Sequence, residues 1–276
     1  MDISVFSRTY EYKDLDESFS RIKAHGIGHT QLNFSNAGLP TLPENIGSND
    51  LARIKEKAAE YGLVMDALTG TFNMIDPDED ARKAGCRQFK LQCEAAKELG
   101  IPIVSLCTGS KSPKGKWTWD DANLEQKSWD DLMRSTDEII RYAEDNGIIL
   151  GVETEASNVI NTPDKARKYL DSVGSPNLKI IMDGANLFRP EEVSRMDEVL
   201  EYAFAVLGKD IVSAHAKDLA LKSGMSFVAA GEGQLNFELY VKLLKQYGYN
   251  GPLIMHGLSE EQVPKSKAFL EGILAQ

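Results

Sequence analysis

The sequence predicts an α/β fold, a single (β/α)8 barrel of parallel strands with residues 1–276 as one domain, and three observations predict it. Short runs rich in Val, Ile and Leu alternate with longer amphipathic stretches through eight rounds. The short runs are continuously apolar, the pattern of strands covered on both faces. A length of 276 residues is that of one such barrel and suffices to bury a large core without staples. The strict βαβα order argues for a parallel sheet and the eight units for its closure. A doubly wound open sheet would use the same units, but no glycine-rich phosphate turn follows the first strand.

The strands are expected at Ile3 to Ser7, Thr30 to Phe34, Leu63 to Leu68, Ile103 to Cys107, Ile148 to Glu153, Leu178 to Asp183, Ile211 to His215 and Leu253 to His256. Between them the helices carry their own punctuation. NDLARIKEKAAEYG opens on cap-type residues and closes at Gly62. Asn123 followed by Gln126 reads as a capping box for a helix from Leu124 to Asn146, stopped at Gly147. Thr162 and Pro163 supply an N-cap and a favoured first position, and Arg189-Pro190 opens the helix after the sixth strand.

Composition narrows the function classes. With 42% apolar and 26% charged residues, the chain has no disorder signature. A net charge of -11 disfavours a nucleic acid partner, whose phosphates call for a basic surface. No apolar run approaches the ~20 residues that span a bilayer, and the first residues lack a signal-peptide pattern, so a cytoplasmic location without membrane attachment is expected. Cys86, Cys93 and Cys107 form no CxxC pair and read as idle buried thiols. The sequence leaves a homo-oligomer open.

Chemistry concentrates at four strand ends: LGVETE at Glu153, KIIMDG at Asp183, VSAHAKD at His215 and PLIMHG at His256. In a parallel barrel these ends share one mouth, so residues far apart in sequence can meet around a single ion. Each has a plain structural alternative: an ion pair for Glu153, a turn for Asp183, a satisfied core position for either histidine. Four consecutive strands each delivering a metal-competent side chain is poorly explained by four such accidents. Glu155 shares the parity of Glu153, so either is the ligand or the proton-transfer base. Asn73, Asn158 and Asn186, with Asn33, lie where amides could bond substrate hydroxyls, with turn chemistry as the alternative. The insertion TGSKSPKGKWTWDDAN, with Lys111 and Trp117, reads as a flap over a sugar ring. AGEGQLNF, from Ala230 to Phe237, reads as a tight loop, with backbone N–H groups offered to an anion at the start of the next helix as the alternative.

These motifs, together with TGTFNM at Thr69 to Met74, DGANLF at Asp183, HAKD at His215 and the tail YGYNGPLIMHGLSE, resemble the xylose-isomerase-like TIM barrel superfamily, in particular its sugar phosphate isomerase/epimerase group. The resemblance implies one divalent ion held by residues of strands five to eight, here Glu153, Asp183, His215 and His256, with Mn, Co, Fe, Ni or Zn favoured over Mg by two oxygen and two imidazole ligands. It implies a small-molecule sugar substrate and a reaction through an enediolate, with Glu153 or Glu155 moving the proton. Lys217 would favour negative charge, with a salt bridge to Asp218 as its alternative role. His256 stands where the family pattern has a second glutamate. A metal-bound imidazole has spent the lone pair that a base needs, which keeps a single-base lyase and a non-catalytic sugar-binding barrel in view. Endonuclease-IV-like members need more histidines than the two placed here, which argues against a nuclease.

Overall fold

The structure, a computed structural model, describes residues 1–222 and 224–276. Eight parallel strands close into a ring: β1 (Ile3–Phe6), β2 (His29–Leu32), β3 (Val64–Thr69), β4 (Ile103–Leu106), β5 (Ile149–Glu153), β6 (Leu178–Asp183), β7 (Ile211–Leu221) and β9 (Leu253–Met255), with β9 pairing back onto β1. The helices α1 (Leu15–Ala24), α2 (Ser48–Glu60), α3 (Glu79–Leu99), α4 (Gln126–Asn146), α5 (Pro163–Val173), α6 (Met196–Leu207), α7 (Phe237–Gln246) and α8 (Val263–Leu274) follow the strands in turn. The expected (β/α)8 barrel is therefore the observed one. Among the described residues, no helix is long and apolar enough to cross a membrane.

One element departs from expectation. β7 does not stop at His215 but runs on to Leu221 and folds back through β8 (Met225–Ala229) as an antiparallel hairpin, with Lys217 opposite Ala229. The run AHAKDLAL stays buried as far as Ala220, so the apolar pattern that marks the barrel strand also extends it past the rim. His215 and Lys217, two residues apart, share one face, and Asp218 takes the other.

Some helix starts follow local chemistry and others do not: Arg189-Pro190 opens only a 3-10 segment, Pro190–Arg195, and α6 itself begins at Met196. Thr162 accepts from the Lys165 N–H and opens α5, and Gly147 ends α4 in the left-handed conformation, φ 68°. Asn123, expected to cap α4, instead lies in a short 3-10 turn, Asp121–Leu124, ahead of a helix that starts at Gln126. Its buried amide accepts from the Lys111 N–H and donates to Ser157 O, tying together the loops after β4 and β5. Tertiary bonding outcompetes the cap because both loops bury polar backbone there.

Close packing behind the mouth depends on Gly85, within α3, against whose Cα lies the Phe72 ring. A methyl group there would overlap Phe72. Gly85→Ala, which raises helix propensity, is expected to lower stability by about 1–3 kcal/mol through overpacking. Urea unfolding checks this, and an unchanged or higher midpoint would show that the ring can yield.

Candidate functional site

Strand register brings the predicted residues together. Asp183 on β6 pairs directly with His215 on β7, and His215 with Ile254 on β9, two positions before His256. Asp183, His215 and His256 each offer a donor atom, all within 4.8 Å of one another. Glu153, at the end of β5, lies beside this group of three without completing it: its Oε2 is 3.4 Å from His215 Nδ1, and Asp183 Oδ2 is 3.6 Å from that nitrogen. These separations are longer than good hydrogen bonds.

Asp183 Oδ2, His215 Nδ1 and His256 Nδ1 are all buried without a hydrogen-bond partner. Leaving one such group unsatisfied costs about 1–3 kcal/mol, so three in one cluster call for a common partner. An oxygen and two imidazole nitrogens are the donor set of a divalent cation, and the residues present fit one. His215 is oriented for this role. Its Nε2 lies 3.0 Å from Gln31 Oε1, while Gln31 Nε2 donates to Thr69 Oγ1. The N–H is thereby directed at Gln31, and Nδ1 faces the carboxylates.

Electrostatics keep the cluster charged yet balanced. Burial would raise the Asp183 carboxyl, but Lys217 and then His215 hold it well below the usual carboxylate range. Burial would lower His215, but Glu153 and Asp183 prevail and raise the imidazole to about 9. Lys217 is likewise raised, with Asp183 foremost among the carboxylates that overcome its desolvation. His256 is pushed well below its ordinary value by burial and by the positive His215 and Lys217, which leaves a neutral imidazole. Its ring stacks on His215 at 5.0 Å between centroids and lies 5.1 Å from Phe6.

The Lys217 ammonium lies 3.0 Å from Asp183 Oδ2, an ion pair whose geometry is not that of a hydrogen bond, and donates to Asn186 Oδ1 at 2.6 Å. Asn186 in turn donates to Glu153 Oε1. Lys217 therefore pairs with Asp183 and not with Asp218, the partner that sequence proximity offers. The Asp218 carboxylate instead accepts from the N–H groups of Gly231, Gly233 and Leu235. Those glycines hold the loop before α7 against Asp218, so the N–H groups that might have met an anion are already used.

A cavity of about 550 Å³ opens over the cluster, bordered by Glu153, Glu155, His215, Lys217 and His256. Glu155 faces it with a carboxyl raised by burial and by the charge of Glu153, and held by the Ser157 N–H at 3.3 Å and O–H at 3.2 Å. Of the expected substrate contacts, Asn33, Trp117 and Asn158 line the cavity, whereas Asn73, Lys111 and Asn186 do not. Asn73 bonds the backbone of Ser110 in both directions. Lys111 turns away to Asp131, 2.5 Å distant, a buried carboxylate that also meets Arg82 and Arg134. Asn158 spends its amide on Gly109 N–H and Lys116 O, each at 2.8 Å, and so pins the flap that carries Trp117.

Other lining residues had no clear sequence signal. Lys116 donates to Thr71 O, and burial lowers its ammonium. Phe227 reaches the cavity only because β8 folds back, its ring 4.1 Å from Lys217 Nζ. Gln31, a polar residue within an apolar strand, was the one legible hint. The three cysteines are free and buried, each thiol pushed up by burial to about 12, and Cys107, which borders the cavity, donates to Asn158 Oδ1 at 3.0 Å.

The pattern of the Xylose isomerase-like TIM barrel family matches residues 19–273. This chain belongs to that family. A ketose 3-epimerase of Arthrobacter globiformis is 26% identical over 235 residues, 82% of this chain and 74% of the relative. An inosose dehydratase of Glaesserella parasuis serovar 5 is 22% identical over 223 residues, 75% of this chain and 73% of the relative. Among solved structures, the IOLI protein with a binding zinc atom superimposes with a TM-score of 0.74 at 17% identity, covering 100% of this chain and 98% of that one.

Removing one partner of a buried ion pair strands the other charge. In metal-free protein, Lys217→Met is expected to cost about 3–5 kcal/mol by denaturant unfolding. Added Mn or Zn should restore part of that loss, since an ion bound only by the folded state stabilises it. Equal stability of the variant and the parent would show that the pair contributes nothing.

Proposed function

We propose that this protein is a divalent-metal-dependent isomerase or epimerase that acts on a ketose or a related sugar derivative through an enediolate. The observation that carries this reading is the cluster of three unpartnered donor atoms on Asp183, His215 and His256, set beneath a cavity whose wall holds the separate carboxyl of Glu155. The ketose 3-epimerase relative and the zinc-bearing structural neighbour support it.

Glu153, Asp183, His215 and His256 would hold the ion, which when bound supplies Lewis-acid stabilisation of negative charge developing on the substrate oxygens. Glu155 takes the proton from the carbon beside the carbonyl. Its raised affinity for a proton brings it closer to the operating pH, and Ser157 orients the carboxyl through Oε1. Lys217 balances the buried Asp183 and, through Asn186, aligns Glu153, so it acts as a positioning residue. Trp117 and Phe227 flank the opening and exclude water from the reacting carbons. Return of the proton to the neighbouring carbon gives isomerisation, and return to the opposite face gives epimerisation.

A second reading follows from His256. Glu153 and Glu155 are the carboxylates that line the cavity, and with Glu153 on the ion a single base remains. One base suits loss of a β-hydroxyl as water after the same proton abstraction, and the dehydratase relative supports that outcome.

Plasma mass spectrometry should find about one transition metal per chain, lost in Asp183→Ala and in His256→Ala. Glu155→Gln should keep the metal and lose roughly 10²- to 10⁴-fold in turnover, the usual contribution of a general base. In deuterated water, an isomerase or epimerase incorporates deuterium into a product of the same composition, whereas a lyase releases water. A protein that takes up no metal when supplied with Mn or Zn would overturn the proposal.

A further inference from the structure

Beside the catalytic cavity lies a groove of about 710 Å³ that the reaction proposed above leaves unused. It runs between the loop after β1 and the loop after β9, lined by Arg8, Thr9, Glu11, Tyr12, Ser259 and Gln262 among others. The two spaces adjoin: Phe6, Arg8 and His256 border both. The rings of Phe6 and His256, tilted against each other with centroids 5.1 Å apart, form the sill between them, and His256 is also one of the three clustered donors. Each space alone falls within the roughly 300–1,000 Å³ of small-molecule sites, so a substrate of one sugar ring fits in the cavity without needing the groove.

The groove has the chemistry of a carbohydrate subsite. Its banks alternate hydroxyl, amide, carboxylate and guanidinium groups around the ring of Tyr12, the mixture of directional polar groups and an aromatic face that hydroxylated rings use. The banks are braced from outside: Arg21 pairs with Glu260 at 3.2 Å and lies 5.4 Å from the Tyr12 ring centre, while Gln262 Oε1 accepts from the Ser259 N–H. Among the described residues, Arg8 makes no salt bridge and no side-chain hydrogen bond, which leaves its guanidinium for a ligand at the junction.

We infer that the substrate carries a second hydroxylated ring that crosses the sill at His256 and seats in this groove, so that the protein acts on a glycosylated ketose in preference to a free one. This rests on the ketose reading above and narrows it. The ring held at the metal supplies the reacting carbons, and the ring in the groove supplies binding energy remote from them, which lowers the barrier where it is expressed in the transition state.

The test is calorimetric binding to metal-loaded protein of fructose and of a set of glucosyl-fructoses that differ only in linkage position. At least one disaccharide should bind tenfold or more tightly than fructose. Glu11→Trp and Ser259→Trp, exposed positions on opposite banks, should each abolish that preference while the metal content and thermal midpoint match the parent. Equal binding of fructose and every disaccharide, or a preference that survives both tryptophans, would overturn the inference and leave the ketose reading intact. Failure to bind fructose or any disaccharide, despite a full complement of metal, would overturn both.

Discussion

A buried ion pair sets the geometry of the barrel mouth. Asp183 sits at the end of β6 with no solvent exposure, and Lys217 on the adjacent strand makes its charge tolerable. Without that ammonium, a carboxylate at this depth would be forced toward protonation and would lose the charge that the proposed metal site calls for. Lys217 is in turn held in place by Asn186, and Asn186 orients Glu153. Charge balance, ligand direction and strand register are thus one connected set of constraints.

The outer layers serve that centre. Gln31 selects the His215 ring nitrogen that faces the carboxylates, and Asp218 gathers the loop before α7 so that β7 can run past the rim. The resulting hairpin carries Phe227 over Lys217, and Asn158 fixes the flap that brings Trp117 to the other side. Most polar side chains around the mouth are spent on holding loops. Few remain to meet a substrate, and this division between scaffold and site is what shapes the cavity and the groove beside it.

The sequence was informative wherever a residue's role depends on its position along a strand. Glu153, Asp183, His215 and His256 close apolar runs, and a closed parallel barrel leaves such residues no other place than the shared mouth. It was uninformative wherever the role depends on which partner lies across a loop. Asn73, Asn123, Asn158 and Lys111 all belong to mouth loops, and no pattern along the chain separates an amide that meets a substrate from one that bonds Ser110 or Gly109. The extension of β7 is not legible in the sequence because a polar, metal-competent histidine inside the run reads as a strand terminus.

The order of strands, their closure into a barrel and the four side chains at its mouth were therefore determined by the sequence itself, since each follows from short-range periodicity and from parallel connections that admit one topology. The pairing of Lys217 with Asp183 in place of its neighbour Asp218, the ring nitrogen that His215 presents, and the groove joined to the cavity at His256 were decided only by tertiary structure. Each of those depends on distances between residues far apart in the chain, and such distances exist only once the barrel has closed.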